Sequence, residues 1–222
     1  MSEPLSKSSQ SETGGAEPLD PVSLSALLAS RLCHDLINPV GAIGSGLEVL
    51  EEPGMDKPMQ DAAVDLIRSG GQKSIALLKF ARLAYGAAGG FGAEIPMEDA
   101  AAVLKEVYDW AKAELDWRLP SGMAPKEKVK TLLILGHAAA DCVPRGGSVV
   151  ISAEGPHYTV EASGPRTILQ EDLVRALEGD TFELKPKFAP AYVAGLLTRE
   201  AGGSISVVLD NDKVIMRVNF AN

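Results

Sequence analysis

In the stretch "RLCHDLINPVGAIGSGLEVLEE", residues 31–52, His34 and Asp35 stand side by side, and Asn38 and Pro39 follow within about one helical turn. An imidazole that reaches solvent beside a carboxylate has the properties of a nucleophile: the neutral nitrogen attacks, and the acid orients the ring or takes up its proton. Around this pair Leu28, Leu32, Leu36, Val40, Ile43, Leu47 and Leu50 recur at steps of three and four, the spacing of an apolar helical stripe. At 100° per residue His34 projects roughly 160° from that stripe, facing solvent, with Arg31, Asn38 and Ser45 on the same side and Asp35 on the flank. Pro39 lacks an amide hydrogen, so it leaves the Asp35 carbonyl without its helical partner and can bend the helix just beyond the histidine.

Other chemistries find less support. A solvated surface pair accounts for His34 and Asp35 taken alone, but not for the proline and the second long helix that accompany them. His137 and His157 have no helical ligand spacing to His34, and no cysteine pair assists a metal. No Gly-x-Ser-x-Gly elbow follows a strand, as a serine hydrolase of that type requires. Cys33 and Cys142, far apart in the chain, make neither a metal knuckle nor a disulfide framework, and read as buried small apolar side chains in a reducing compartment.

The elements that must position these residues follow from periodicity and punctuation. Residues 1–22 are rich in Ser, Glu, Pro and Gly and read as a disordered tail. Residues 23–90 read as a helical hairpin: one helix capped by Ser23 or Ser25 and broken at Glu51-Glu52-Pro53-Gly54, and a second from about Gln60 to Ala88, ending in the glycines of "YGAAGGFG". Residues 91–222 alternate between helices at about 98–114, 125–142, 170–178 and 187–201 and the strands "SVVISAE", "YTVEAS", "SISVVLD" and "KVIMRVNF", which predicts a mostly antiparallel sheet with helices on one face. The fold class is α+β, a hairpin followed by an α/β sandwich.

The 222 residues are 45% hydrophobic and 23% charged, enough for one large or two small domains. A net charge of -9 and a pI near 4.9 argue against a groove for nucleic acid and against an anionic membrane surface. No apolar run approaches the roughly 18 residues of a membrane helix, and the first residues lack the apolar centre of a signal peptide, so a cytoplasmic protein is expected.

His34, Asp35, Asn38 and Pro39 have the spacing of the phosphoacceptor motif in the dimerisation and phosphotransfer hairpin of two-component histidine kinases, which the chain resembles. The order of later elements resembles the ATP-binding domain of those kinases, a Bergerat-type sandwich, but with its nucleotide site degraded. Where the kinase helix holds a metal-binding asparagine, "KTLLILGHAAADCV" has Gly136, His137, Ala138 and Ala139. No aspartate precedes Gly164 in "EASGPRTI", where an adenine-recognising one belongs. "GDTFELKPKFA" has one glycine and makes no phosphate-cradling lid. A chain that keeps the hairpin and loses the nucleotide site resembles the ChpT family of histidine phosphotransferases, as do "RLCHDLINPVGAI", "GLEVLE", "KFARLAYGA", "PRGG" and "AGGSISV".

That resemblance implies a homodimer in which two hairpins form a four-helix bundle. It implies that His34 takes a phosphoryl group from the receiver domain of a hybrid kinase of the CckA kind and passes it to response regulators of the CtrA and CpdR kinds. Asp35 would orient or deprotonate the ring, Arg31 would balance phosphoryl charge, and Asn38 would help place the attacking groups. The chain would bind no ATP and no cofactor, the Mg²⁺ arriving with the receiver. Three alternatives remain open at this point: a divergent ATP-dependent kinase, a non-catalytic module that binds response regulators, and a phosphatase of phosphorylated receivers.

Overall fold

The computed structural model describes residues 18–86 and 94–220. Helix α1, Pro21–Glu51, opens on Asp20, whose carboxylate accepts from the amides of Val22 and Ser23, while Pro21 occupies a first-turn position where no amide hydrogen is needed. The serine cap expected at Ser23 or Ser25 is not used: both lie inside the helix, and the Ser25 hydroxyl bonds back to the Pro21 carbonyl at 2.7 Å. Residues 18–22, expected to belong to a disordered tail, are instead ordered. Leu19 donates its amide to the Tyr192 hydroxyl at 3.0 Å and packs against the core, so a cap and an apolar anchor order residues 18–22. Residues 1–17 of that tail, and the expected domain boundary at 90, lie outside the described residues.

Helix α2, Lys57–Ala84, is capped by Asp56, which accepts from the Met59 amide at 2.9 Å. It runs antiparallel to α1, because Gly46 abuts Ala63 and Ile67 while Pro39 abuts Gly70. Contact at these two places is at backbone distance: a Cβ on Gly70 would lie 2.5 Å from the Pro39 carbonyl oxygen, and one on Gly46 2.6 Å from Ile67 Cγ1. Helix α1 continues without a break through Pro39, which is buried.

The rest of the chain runs β1 (Glu94–Pro96), α3 (Met97–Tyr108), β2 (Ala113–Trp117), β3 (Met123–Pro125), α4 (Lys126–Asp141), β4 (Gly147–Glu154), β5 (His157–Ser163), α5 (Glu171–Glu178), a 3-10 turn (Pro186–Phe188), α6 (Ala189–Glu200), β6 (Ser204–Asp210) and β7 (Lys213–Asn219). The main sheet has the order β2-β4-β5-β7-β6, antiparallel except for the β2–β4 pair. Val149, Ile151, Val160, Ala162, Val214, Met216 and Val218 alternate along the central strands and are fully buried, as a sheet with one covered face requires. Helices α4 and α6 lie on that face, bringing Leu132, Leu133, Leu135, Tyr192 and Ala194 into the same core.

Three strands were not legible. β1 and β3 have three residues each and pair only with each other. β2 starts at Ala113, overlapping the last residues of the helix expected over 98–114, and runs on to Trp117; that helix stops at Tyr108, where the phenol donates to the Gly136 carbonyl at 2.6 Å and ties α3 to α4.

Candidate functional site

His34 sits in the middle of α1 with 81% of its side chain exposed, while Asp35 beside it is only 20% exposed. Asp35 Oδ1 lies 3.5 Å from His34 Nδ1, and its other oxygen, Oδ2, accepts from Arg31 Nε at 2.7 Å. One carboxylate thus links two residues within about one helical turn, fixed by the guanidinium on one side and facing the imidazole on the other. Asn38 is exposed one turn beyond the histidine.

Arg31 departs from expectation. It was projected onto the solvent face with His34, yet only 12% of its side chain is exposed, and its Nη1 donates to the Lys187 carbonyl at 3.3 Å. The wheel treated α1 as a helix with one apolar stripe, but the helix rests on two supports. Positions 31, 32, 35, 36, 39, 43 and 46 turn toward α2 and the second domain, whereas Ile37, Val40 and Leu47, the last two from the projected stripe, remain 66%, 51% and 50% exposed. Cys33, expected to be buried, is exposed next to His34; Cys142 is buried, and burial pushes its thiol up to about 12, which leaves it inert.

A cavity of about 610 Å³ opens beside His34. It is lined by Ser30, Arg31, His34 and Asp35 of α1, by Asp141 at the end of α4, and by Lys185, Pro186 and Lys187 just before α6. Lys187 Nζ lies 3.5 Å from Asp141, and Lys185 Nζ pairs with Asp172 at 2.6 Å. Sequence reasoning had reached the two lysines only as part of a failed phosphate lid. No local spacing connects them to a histidine so far up the chain; the fold alone brings them there.

The other two histidines do not line this cavity, although His137 lies close behind it beside Arg31 and Asp141. His137 on α4 stacks on Phe80 of α2 at 4.6 Å between ring centroids, gluing the second domain to the hairpin. Burial holds its pKa below 6.5; Arg31 lowers it further, and Asp141 and Asp35 oppose the shift. His157 pairs with Asn219 on the adjacent strand. Among the described residues no group of three or more His, Cys, Asp or Glu side chains is placed to hold a metal ion, and no helix is long and apolar enough to cross a membrane.

Comparison with known proteins bears directly on this arrangement. A family model described as histidine phosphotransferase C-terminal domain matches residues 97–213. The chain is 37% identical over 195 residues to the protein phosphotransferase ChpT of Brucella abortus (strain 2308), covering 85% of this chain and 91% of that one. A solved structure of a bacterial phosphotransferase shares 32% identity and superposes with a TM-score of 0.79 over 90% of this chain and 98% of its own. A hairpin that carries an exposed histidine, joined to a domain of that family, places the chain in a group of phosphotransfer enzymes: it belongs to the ChpT-type histidine phosphotransferases.

Proposed function

We propose that His34 is the phosphoacceptor of a relay that carries a phosphoryl group from the receiver aspartate of a hybrid kinase to the receiver aspartates of separate response regulators. The observation that carries this reading is the pairing of an exposed imidazole with a carboxylate held from behind. Asp35 on the Nδ1 side favours the tautomer with its proton there, leaving the Nε2 lone pair free. Nε2 attacks the phosphorus of the incoming aspartyl phosphate; an N–P bond forms, the P–O bond to the receiver aspartate breaks, and its carboxylate leaves. Asp35 stabilises the positive charge that develops on the ring. In the second half the acceptor carboxylate attacks phosphorus and the imidazole leaves with its Nδ1 proton. Asn38, exposed on the same face, helps to place the attacking groups.

Both half-reactions exchange one high-energy phosphoryl species for another, so no ATP is consumed. The shape of the second domain supports this. Beside His137, in the region where a kinase of this fold would bind metal and phosphates, the space toward α5 and α6 is about 20 Å³ and that toward α2 and α3 about 230 Å³, both below the roughly 300–1,000 Å³ typical of small-molecule pockets. His137 is turned to Phe80 instead. The Mg²⁺ of phosphoryl transfer is assigned to the receiver, which supplies charge neutralisation when it docks.

The assembly proposed is a homodimer. Ile37, Val40, Leu47 and Leu50 on α1 and Val64, Leu66, Ile75 and Leu78 on α2 are all 38% or more exposed, a larger apolar surface than a lone hairpin leaves to water, and a second hairpin covers it by forming a four-helix bundle. The relay is assigned to the cytoplasm, with donors of the CckA kind and acceptors of the CtrA and CpdR kinds.

The test loads a receiver domain with labelled phosphate and mixes it with the chain and with His34→Ala. Acid-labile, base-stable label on the wild type and none on the variant is the expected result. No label on the wild type with several receivers in the presence of Mg²⁺ would sink the reading.

A further inference from the structure

Resting on the reading of His34 as phosphoacceptor, we propose that Lys187, in the second domain, contacts the phosphoryl group during its transfer and supplies positive charge that α1 itself does not. The protein carries a net charge of -9, so its overall field opposes the approach of a phosphoryl dianion. The cationic group nearest in sequence, Arg31, is already committed to Asp35 and to the Lys187 carbonyl. The other cations lining the cavity beside His34 are the ammonium groups of Lys185 and Lys187, each with an acidic partner of its own.

Of the two lysines there, Lys187 is the better placed. Its backbone carbonyl is bonded to Arg31, so its Cα is fixed against α1 one turn before the histidine. Its side chain is loosely held: Nζ lies 3.5 Å from Asp141 and 3.3 Å from Gln170, and the side chains of Lys187 and Asp141 are 42% and 45% exposed. An exposed ion pair with that separation contributes little, so a phosphoryl group can displace Asp141 at small cost. Lys185 is bound more closely, to Asp172 at 2.6 Å, and serves as a secondary contributor. Ammonium groups suit this task because phosphoryl transfer depends on positioning and charge neutralisation rather than on covalent help from the protein.

The experiment measures the rate at which label reaches His34 from two donors, a phosphorylated receiver and the small donor phosphoramidate, whose N–P bond breaks with release of ammonia. The wild type is compared with Lys187→Gln, Lys187→Glu, Lys187→Arg and His34→Ala. The expected result is loading slowed roughly ten-fold by Lys187→Gln and more by Lys187→Glu with both donors, with Lys187→Arg within about three-fold of wild type, and an unchanged thermal unfolding midpoint. Equal rates for wild type and Lys187→Gln, with His34→Ala unlabelled, would overturn the role of Lys187 and leave the phosphoacceptor reading standing. Slowing with the receiver but not with phosphoramidate would place Lys187 in protein docking, and would also overturn it. Labelling of His34→Ala equal to wild type would remove the phosphoacceptor itself, and this proposal with it.

Discussion

At the level of single residues the site depends on one carboxylate serving two masters. Asp35 gives Oδ2 to Arg31 and faces His34 with Oδ1, so the guanidinium sets the direction in which the imidazole is held. Replacing Arg31 with Met is expected to free Asp35 to rotate, lowering the transfer rate roughly ten- to a hundred-fold while label still appears on His34. Because Arg31 and Asp35 are both largely buried, urea unfolding is expected to show a loss of about 1–3 kcal/mol. Arg31→Lys should not restore the rate, since a point charge cannot bond Asp35 and the Lys187 carbonyl together; full rescue by lysine would refute the positioning role. The exposed placement of His34 and Asn38 and the flanking placement of Asp35 were legible from sequence, as their types and spacing are local. The burial of Arg31 was not, because its second partner is a carbonyl far along the chain.

At the level of elements, the hairpin is held at two glycines that allow backbone-distance contact. Gly70→Val is expected to push α2 away from the Pro39 carbonyl and lower stability by roughly 1–3 kcal/mol in urea unfolding. A matching change at half-buried Gly71, where a Cβ meets nothing within 4 Å, should cost far less, and equal losses at the two positions would count against the close approach. Helix positions were readable within a few residues because apolar periodicity and Pro or Gly breaks are strong local signals. The cap of α1 was misassigned, Asp20 serving in place of Ser23 or Ser25, because a serine run just inside the helix resembles a cap equally well in sequence, and no cap was foreseen for α2, where Asp56 serves. The short strands β1 and β3 escaped notice since three residues carry no period, and β2 since its parallel partner is specified only by the tertiary fold.

At the scale of the whole molecule, the second domain is joined to the hairpin through a stack between His137 and Phe80, a bridge from Lys79 to Glu106 and a bond from Lys130 to the Gly86 carbonyl. His137 is held neutral, with its pKa depressed below 6.5 by burial. A depressed histidine pKa means that the unfolded chain takes up the proton first. The contribution is therefore complete above pH 6.5 and is lost as pH falls below it. Thermal unfolding between pH 7.5 and about 5 should show a falling midpoint for wild type and a shallower fall for His137→Phe, which keeps the ring stack. Parallel curves would assign the acid sensitivity elsewhere. Sequence placed His137 in the region of a lost metal ligand and read it as a structural or surface residue, but its partner was hidden, because Phe80 lies in another domain.

The bond between Arg31 and the carbonyl of Lys187 separates two kinds of heritable change at one position. A main-chain carbonyl is present whatever side chain the codon specifies, so the support of Asp35 is insensitive to nearly every substitution at residue 187. The side chain there, meanwhile, faces the cavity and can change sign, length or shape. Orientation of the nucleophile is thereby insulated from changes in the charge offered to the phosphoryl group, and a lineage can retune the rate of transfer without first disturbing the geometry of His34 and Asp35.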